Sequence, residues 1–301
     1  MAGNFSKVVR AKSKLRMALT GVSGAGKTLG ALLIAHGITG DWDKVAVIDT
    51  EHERARVYAN RSEYGIGEFM YAPLYPPYSP DRYAALVKEA AEIVGPDGVV
   101  IVDSLSHAWN STGGVLELKD EIATRRGQNS YTAWGEAGKI QTNFVNTILS
   151  VNCHTIVTMR SKMEYALEEN NQGKKTPVKI GLAPIQRDDT EYEFDIVLDI
   201  GRNHIATTSK DVTFLDKYGE VITVELGQQL KEWLNDGVDA SAIMAQRPIT
   251  SFHWQEIKMI ANGNRKLIDA MMQHFEATNP SDLKQGQMNE IKKFLKGIGD
   301  K

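Results

Sequence analysis

Gly21-Val22-Ser23-Gly24-Ala25-Gly26-Lys27-Thr28 lies between two apolar stretches and decides how the rest of the chain is read. It fits GxxxxGK[ST] at every fixed position. Glycines let backbone N–H groups curl around phosphate oxygens, in conformations that a side chain blocks. Residues 15–19, just ahead, read as a short buried strand. Residues 28–36, rich in Leu, Ala and Ile, read as a helix ending near Gly37. That helix aims its N-terminal dipole at the same anion. In this setting Lys27 is expected to bridge the β- and γ-phosphates, and the Thr28 hydroxyl to hold Mg²⁺.

Working outward, residues 44–51 (KVAVIDTE) give a second buried strand, with Val45, Val47 and Ile48 as β-formers. The proline-rich stretch 72–80 reads as loop. Ser79-Pro80-Asp81 is a helix start: a cap, a proline in the first turn, and an acid at the positive end of the dipole. Residues 98–104 (GVVIVDS) form a third strand, 133–149 a helix, and 154–159 a fourth strand. Apolar strands separated by helices predict an α/β fold with a mostly parallel sheet covered on both faces. After residue 190, FDIVLDI, HIATTS and EVITVE alternate with short turns and predict antiparallel strands at one edge. The expected division is a basic arm over 1–14, a core built on the phosphate loop over 15–225 and a small helical appendage over 226–301.

Composition narrows the classes. With 301 residues, 42% of them hydrophobic, the chain can bury a core without staples. Its one cysteine, Cys153, excludes a disulfide framework and fits a reducing compartment. The seven histidines lie at no ligand spacing, which argues against a built-in zinc site. No apolar run is long enough to span a bilayer, and the N-terminal stretch has no apolar signal core, so the expected location is cytoplasmic. A net charge of −3 leaves nucleic-acid binding to local basic patches. One such stretch is residues 1–16, with Lys7, Arg10, Lys12, Lys14 and Arg16 and no acid, which also reads as a solvated arm.

Two acids fall where a phosphate-transfer site needs them. Asp103 ends the third strand, within reach of Mg²⁺ through water, although a strand-end aspartate can equally cap a turn. The next residue is Ser104 rather than Glu, so the water-activating acid has to come from elsewhere. Glu51, at the end of the second strand, is the candidate; the alternative is a surface acid at a helix start. No NKxD is present to read guanine, which argues against a GTPase, and no LSGGQ is present, which argues against a transporter-type ATPase.

The set 21–28, IDTEH at 48–52 and VIVDS at 100–104 resembles the ATPase core of RecA-type recombinases. The overall pattern is most similar to the short RecA-like ATPases of bacteriophages, described as nucleotide-binding proteins or core-only single-strand annealing recombinases. The likeness covers about residues 14–225. It implies that Glu51 activates water and that Asp103 serves the metal. It also places Arg160 in IVTMRSKM (156–163), where the family carries a polar γ-phosphate sensor, usually glutamine. It further implies hydrolysis stimulated by single-stranded DNA, and a homo-oligomer, ring or filament, with nucleotide at subunit interfaces. A single-strand binding protein is an implied partner, and the cytoplasm of a bacterial host the implied location.

Family members hold DNA with a loop after the magnesium strand and a second after the sensor strand. Here these are 106–131, with Arg125 and Arg126, and 161–187, with Lys162, Lys174, Lys175, Lys179 and Arg187. Basic loops suit a phosphate backbone, or are simply solvated. Relatives reach into the neighbouring subunit's site with a lysine-x-arginine pair; Lys210-Asp211-Val212 keeps the lysine alone. Lys210 is the first candidate, Arg187 the second, and a plain surface lysine the alternative. Residues 4–8 are an arm that either adds to a neighbour's sheet or packs on its own core. Trp233, Trp254, Ile257, Leu267, Met271 and Phe275 predict a helical core in the appendage, and 288–296 an amphipathic basic helix. Three other readings share the phosphate loop: a hexameric helicase-type motor, a small-molecule or nucleotide kinase, and a nucleotide-switched scaffold.

Overall fold

The computed structural model describes residues 8–125, 129–169 and 175–299, and side chains among these outside 163–182, 240–241 and 298–299. The chain divides into two compact units, Lys14–Leu234 and a smaller one made of 1–13 with 235–301.

The larger unit is built on nine described strands: β1 (Arg16–Gly21), β2 (Val45–Asp49), β3 (Met70–Pro73), β4 (Val99–Asp103), β5 (His154–Glu169), β6 (Lys175–Pro184), β7 (Ile196–Ile200), β8 (Ile205–Lys210) and β9 (Gly219–Val221). Their order is β3-β2-β4-β5-β1-β7-β8-β9, with β6 paired to the far part of β5. β3 through β7 along this path run parallel; of the three stretches expected as antiparallel edge strands, only β8 and β9 are, whereas FDIVLDI forms β7, which is buried between β1 and β8 and runs parallel to β1. β1, β2 and β4 are buried throughout apart from Arg16, as expected of strands covered on both faces.

Helices cover the two faces. α1 (Lys27–Thr39) packs with Met17, Leu19, Val47 and Ile101 in one core. α2 (Pro80–Val94) contributes Tyr83, Val87 and Val94 to the opposite core, beside Val100, Val102 and Phe144. Between β4 and β5 lie α3 (His107–Asn110), α4 (Val115–Ala123) and α5 (Ser130–Ser150). Asn129 caps α5, its side chain accepting from the Thr132 N–H. Arg16 closes the turn into β5: its guanidinium donates to the carbonyls of Leu149, Val151 and Cys153 at 2.7, 2.6 and 2.5 Å. It is thus a structural residue rather than part of a solvated arm.

α6 (Val224–Asn235) belongs almost entirely to this unit, although the sequence division places it in the appendage. Leu226, Leu230 and Leu234 join the α1 core, and Trp233, expected in the core of the appendage, packs against it as well. Two glycines permit the approach: a Cβ on Gly37 would lie 2.2 Å from the Val224 carbonyl, and one on Gly227 would lie 2.3 Å from that of Ile34.

Two stretches expected to be loops carry regular structure. Residues 106–131 contain α3, α4 and the start of α5. Residues 161–187 hold the second half of β5 and β6, paired from Ser161↔Pro184 to Glu169↔Lys175. The β-formers in Met163-Glu164-Tyr165-Ala166-Leu167 and Val178-Lys179-Ile180 carry a hairpin where the lysines suggest only loop. β3 likewise occupies part of the proline-rich stretch, at a sheet edge where Pro73 costs little.

In the smaller unit, which also holds α7 (Ala240–Gln246), α8 (Ser251–Ile260), α9 (Arg265–His274) and α10 (Met288–Gly299) build a core of Ile257, Leu267, Met271, Ile291 and Leu295. Residues 8–13 belong here: Ala11 bridges Val238, and Arg10 pairs with Asp236 at 3.2 Å. The expected arm over 4–8 lies outside the described residues but for Val8, which is exposed. Among the described residues no helix is long and apolar enough to cross a membrane.

Candidate functional site

The parallel strands deliver their C-terminal ends to one crevice, the usual ligand position in such sheets. β1 runs into the phosphate loop, β2 into Thr50-Glu51, β4 ends on Asp103, and β5 passes Arg160 at that level. A cavity of about 760 Å³ opens there, lined by residues 23–30, Glu51, Arg54, Asp103, Arg160 and His204. Its other wall is apolar, with Leu33, Val57, Tyr58, Tyr64, Val221 and Ile222.

The loop geometry follows from its glycines. Gly21, Gly24 and Gly26 have φ of 153°, 80° and 98°, which other residues resist. A Cβ on Gly21 would sit 2.6 Å from the Ile200 carbonyl. Lys27, only 9% exposed, donates to the carbonyls of Gly21 and Val22 at 2.9 and 3.0 Å. Burial lowers its pKa, while Asp103 and Glu51 pull it back up. These backbone bonds keep the ammonium beside the loop, on the cavity wall.

Thr28 Oγ1 donates to Asp103 Oδ2 at 2.5 Å, and Thr158 Oγ1 donates to Asp103 Oδ1 at 2.5 Å. Asp103 is 1% exposed, and burial raises its pKa against the pull of the two hydroxyls. A hydroxyl and a carboxylate side by side are hard oxygen donors of the kind Mg²⁺ takes, alongside water and substrate phosphates. Among the described residues no group of three His, Cys, Asp or Glu could enclose a metal alone. Thr28 and Asp103 therefore fit a magnesium ion that arrives with phosphate.

Glu51 is held in place from behind. Asp49, opposite Asp103 in the sheet, accepts the Glu51 N–H at 2.6 Å, the Ala55 N–H at 2.9 Å and the Tyr71 hydroxyl at 3.1 Å. The Thr50 hydroxyl accepts the Ser104 N–H at 2.9 Å and meets His107 Nδ1 at 2.7 Å. The ends of β2 and β4 are thereby locked together. In front, Arg160 grips the carboxylate bidentately, Nε to Oε1 at 2.6 Å and Nη2 to Oε2. Burial pushes the Glu51 pKa up, but the Arg160 hydrogen bonds and charge outweigh it and hold it below its ordinary value.

The crevice thus brings together the 21–28 loop, Lys27, Thr28, Glu51, Asp103 and Arg160. Lys210 is not among them. It pairs with Val197 at the start of β7, whereas Ile200 at the end of β7 is opposite Gly21. Its ammonium donates to the Tyr192 carbonyl. Arg187 does not line the cavity either. Of the expected DNA contacts, Arg125 pairs with Glu136 at 2.9 Å and Lys162 is exposed on β5. Arg126 and Lys174 lie outside the described residues, as do the side chains of Lys175 and Lys179. Sequence reasoning missed Arg54, 3.8 Å from Glu51, and His204, whose Nδ1 lies 3.0 Å from the Ala25 carbonyl. Arg54 stands three residues past Glu51, a spacing that could have flagged it. His204 sits in a β-turn that carries no motif.

The model of a family described as an AAA domain matches residues 13–229. No curated protein matches the chain. The match spans the larger unit from the first residues before β1 into α6, and well over half of the chain. A parallel sheet, a glycine loop opening onto α1 and a strand-end aspartate beside Thr28 are the parts that such a domain requires, and the chain belongs to the AAA-domain family of P-loop ATPases.

Proposed function

We propose that this chain is a magnesium-dependent ATPase acting on single-stranded DNA, in recombination, annealing or replication of the bacteriophage type. The observation that carries the hydrolytic part is the placement of Glu51, Thr28, Asp103 and Lys27 around one cavity. Lys27 and the loop N–H groups bind the β- and γ-phosphates. Thr28 and Asp103 hold Mg²⁺, which supplies charge neutralisation across those phosphates. Glu51 orients water and accepts its proton, and the apolar wall around Tyr58 and Leu33 receives the base.

The DNA part rests on the stretch 161–187, in which β5 and β6 pair just beyond Arg160 and whose sequence contains Lys162, Lys174, Lys175 and Lys179. Arg125 and Arg126 are its counterpart after β4. The working form is a homo-oligomer, ring or filament, in which Lys210 or Arg187 serves a neighbour's site, since neither lines its own. A single-strand binding protein is a fitting partner.

Charge recognition of this kind is tolerant of sequence. Lys174→Ala with Lys175→Ala should weaken binding of unrelated single strands alike. The log–log salt dependence should become shallower by about 0.7 for each phosphate that is no longer neutralised. ATP binding should be retained. Fluorescence anisotropy of labelled oligonucleotides across a salt titration reads both quantities. An unchanged slope and affinity would remove these lysines from the DNA surface.

A further inference from the structure

The turn from β7 into β8 borders the phosphate-loop cavity with two polar side chains, Asn203 and His204. β7 ends at Ile200, opposite Gly21, so the turn leaves the sheet alongside the loop. Two backbone bonds close it. The Gly201 N–H donates to the Ile205 carbonyl at 2.9 Å, and the His204 N–H donates to the Gly201 carbonyl at 3.0 Å. His204 has φ of 64°, a left-handed conformation that few residues other than glycine adopt. Its ring lies on the loop: Nδ1 is 3.0 Å from the Ala25 carbonyl, and a Cβ on Gly26 would be 3.4 Å from the same nitrogen. The next residue, Ile205, pairs with Val221, and Val221 and Ile222 belong to the apolar wall of the cavity. His204 therefore stands between the loop and that wall.

The hydrogen-bonding roles of both side chains follow from their partners. A carbonyl only accepts, so Nδ1 of His204 carries the hydrogen. In the neutral ring Nε2 is then an acceptor, and it has no partner among the described residues. Asn203 Oδ1 accepts the Ile205 N–H at 3.2 Å. This fixes the amide and leaves Nδ2 as a donor with no partner among the described residues. A nucleotide with its phosphates in the loop and its base on the apolar wall has to place its sugar between the two.

We propose that His204 and Asn203 read the sugar of the bound nucleotide, His204 Nε2 accepting one hydroxyl of the ribose diol and Asn203 Nδ2 donating to the other. The site thereby selects ribonucleotides over nucleotides that lack either hydroxyl. This rests on the ATPase reading above. Each hydroxyl of a diol can donate and accept, so an acceptor beside a donor matches it. A sugar without one hydroxyl leaves a polar group of the site unpaired, and sites built to bond a hydroxyl reject such analogues.

The test is calorimetric titration of the full chain, with Mg²⁺ present, by ADP, 2′-deoxy-ADP and 3′-deoxy-ADP. The parent should bind ADP about three- to tenfold more tightly than either deoxy form, the scale of one neutral hydrogen bond. His204→Asn is the informative variant. Asparagine tolerates the left-handed backbone, and its amide nitrogen can stand where Nδ1 stood, so the bond to Ala25 is kept while Nε2 is removed. It should erase the preference over one deoxy form and keep the preference over the other. Its affinity for the first of these should stay within about twofold of the parent's, which also reports that the fold and the loop are intact. The proposal is overturned if the parent does not distinguish the three nucleotides, or if His204→Asn keeps both preferences. It also falls if His204→Asn weakens all three by one factor, since the ring then acts through the loop or the phosphates. Lys27→Ala should weaken all three alike. If it does so while the parent ignores the sugar, the ATPase reading stands and the sugar reading falls. If the parent binds none of the three, both fall.

Discussion

Lys27→Ala should lower ATP hydrolysis by about 10³-fold and ATP affinity by about 10–100-fold. The ammonium is the buried cation of the loop, held beside it by the Gly21 and Val22 carbonyls. A phosphate entering the loop would meet it already desolvated and oriented, which is where an electrostatic contact has most effect. Alanine removes the charge and also releases those two carbonyls, so thermal unfolding should be followed in parallel. A variant that melts like the parent but turns over normally would contradict the assignment of the loop.

Glu51→Gln should lower hydrolysis by about 10²–10³-fold while nucleotide binding persists. The amide keeps the size and one acceptor of the carboxylate but cannot take a proton from water. The Asp49 bonds to the Glu51 and Ala55 N–H groups are untouched, so the backbone stays in place. Single-turnover phosphate release separates the chemical step from binding. Full activity in this variant, with loss of activity on changing some other acid, would sink the role given to Glu51.

Much of the site is legible in the sequence because its parts sit at strand ends. The spacing of 21–28 and the apolar runs before Glu51 and Asp103 fix which residues emerge together, once the strands are parallel. The sequence also predicts β8 and β9 at one edge, but groups β7 with them, because a short turn into β8 does not reveal that β7 itself runs parallel to β1. What it hides is side-chain choice across strands. Arg160 and Glu51 are 109 positions apart, and their ion pair exists only because β2 and β5 flank β4. The clamp by Asp49 is hidden for the opposite reason. It is local, but it reads as one more strand-end acid beside a more conspicuous glutamate.

The two long stretches that read as loops but hold regular structure do so for physical reasons. In 106–131 the helices are short, α3 ending before Gly113-Gly114 and α4 at Ala123, so no helical period lasts long enough to register. In 161–187, charged residues alternate with β-formers, a period-two sequence pattern that suits paired strands rather than loop. The expected end of the core falls too early because α6 is polar on average. Its buried stripe of Leu226, Leu230 and Leu234 docks through a glycine contact that sequence alone does not announce.

The deciding measurement is steady-state phosphate release from Mg·ATP by the parent chain and Glu51→Gln, side by side, with and without single-stranded DNA. The parent should turn over ATP at a rate that rises with single-stranded DNA and falls to nothing when EDTA removes the metal. Glu51→Gln should lose that turnover under every condition. Turnover that ignores DNA and survives in Glu51→Gln, or a parent chain that releases no phosphate at all, would overturn the reading of this chain as a DNA-stimulated ATPase.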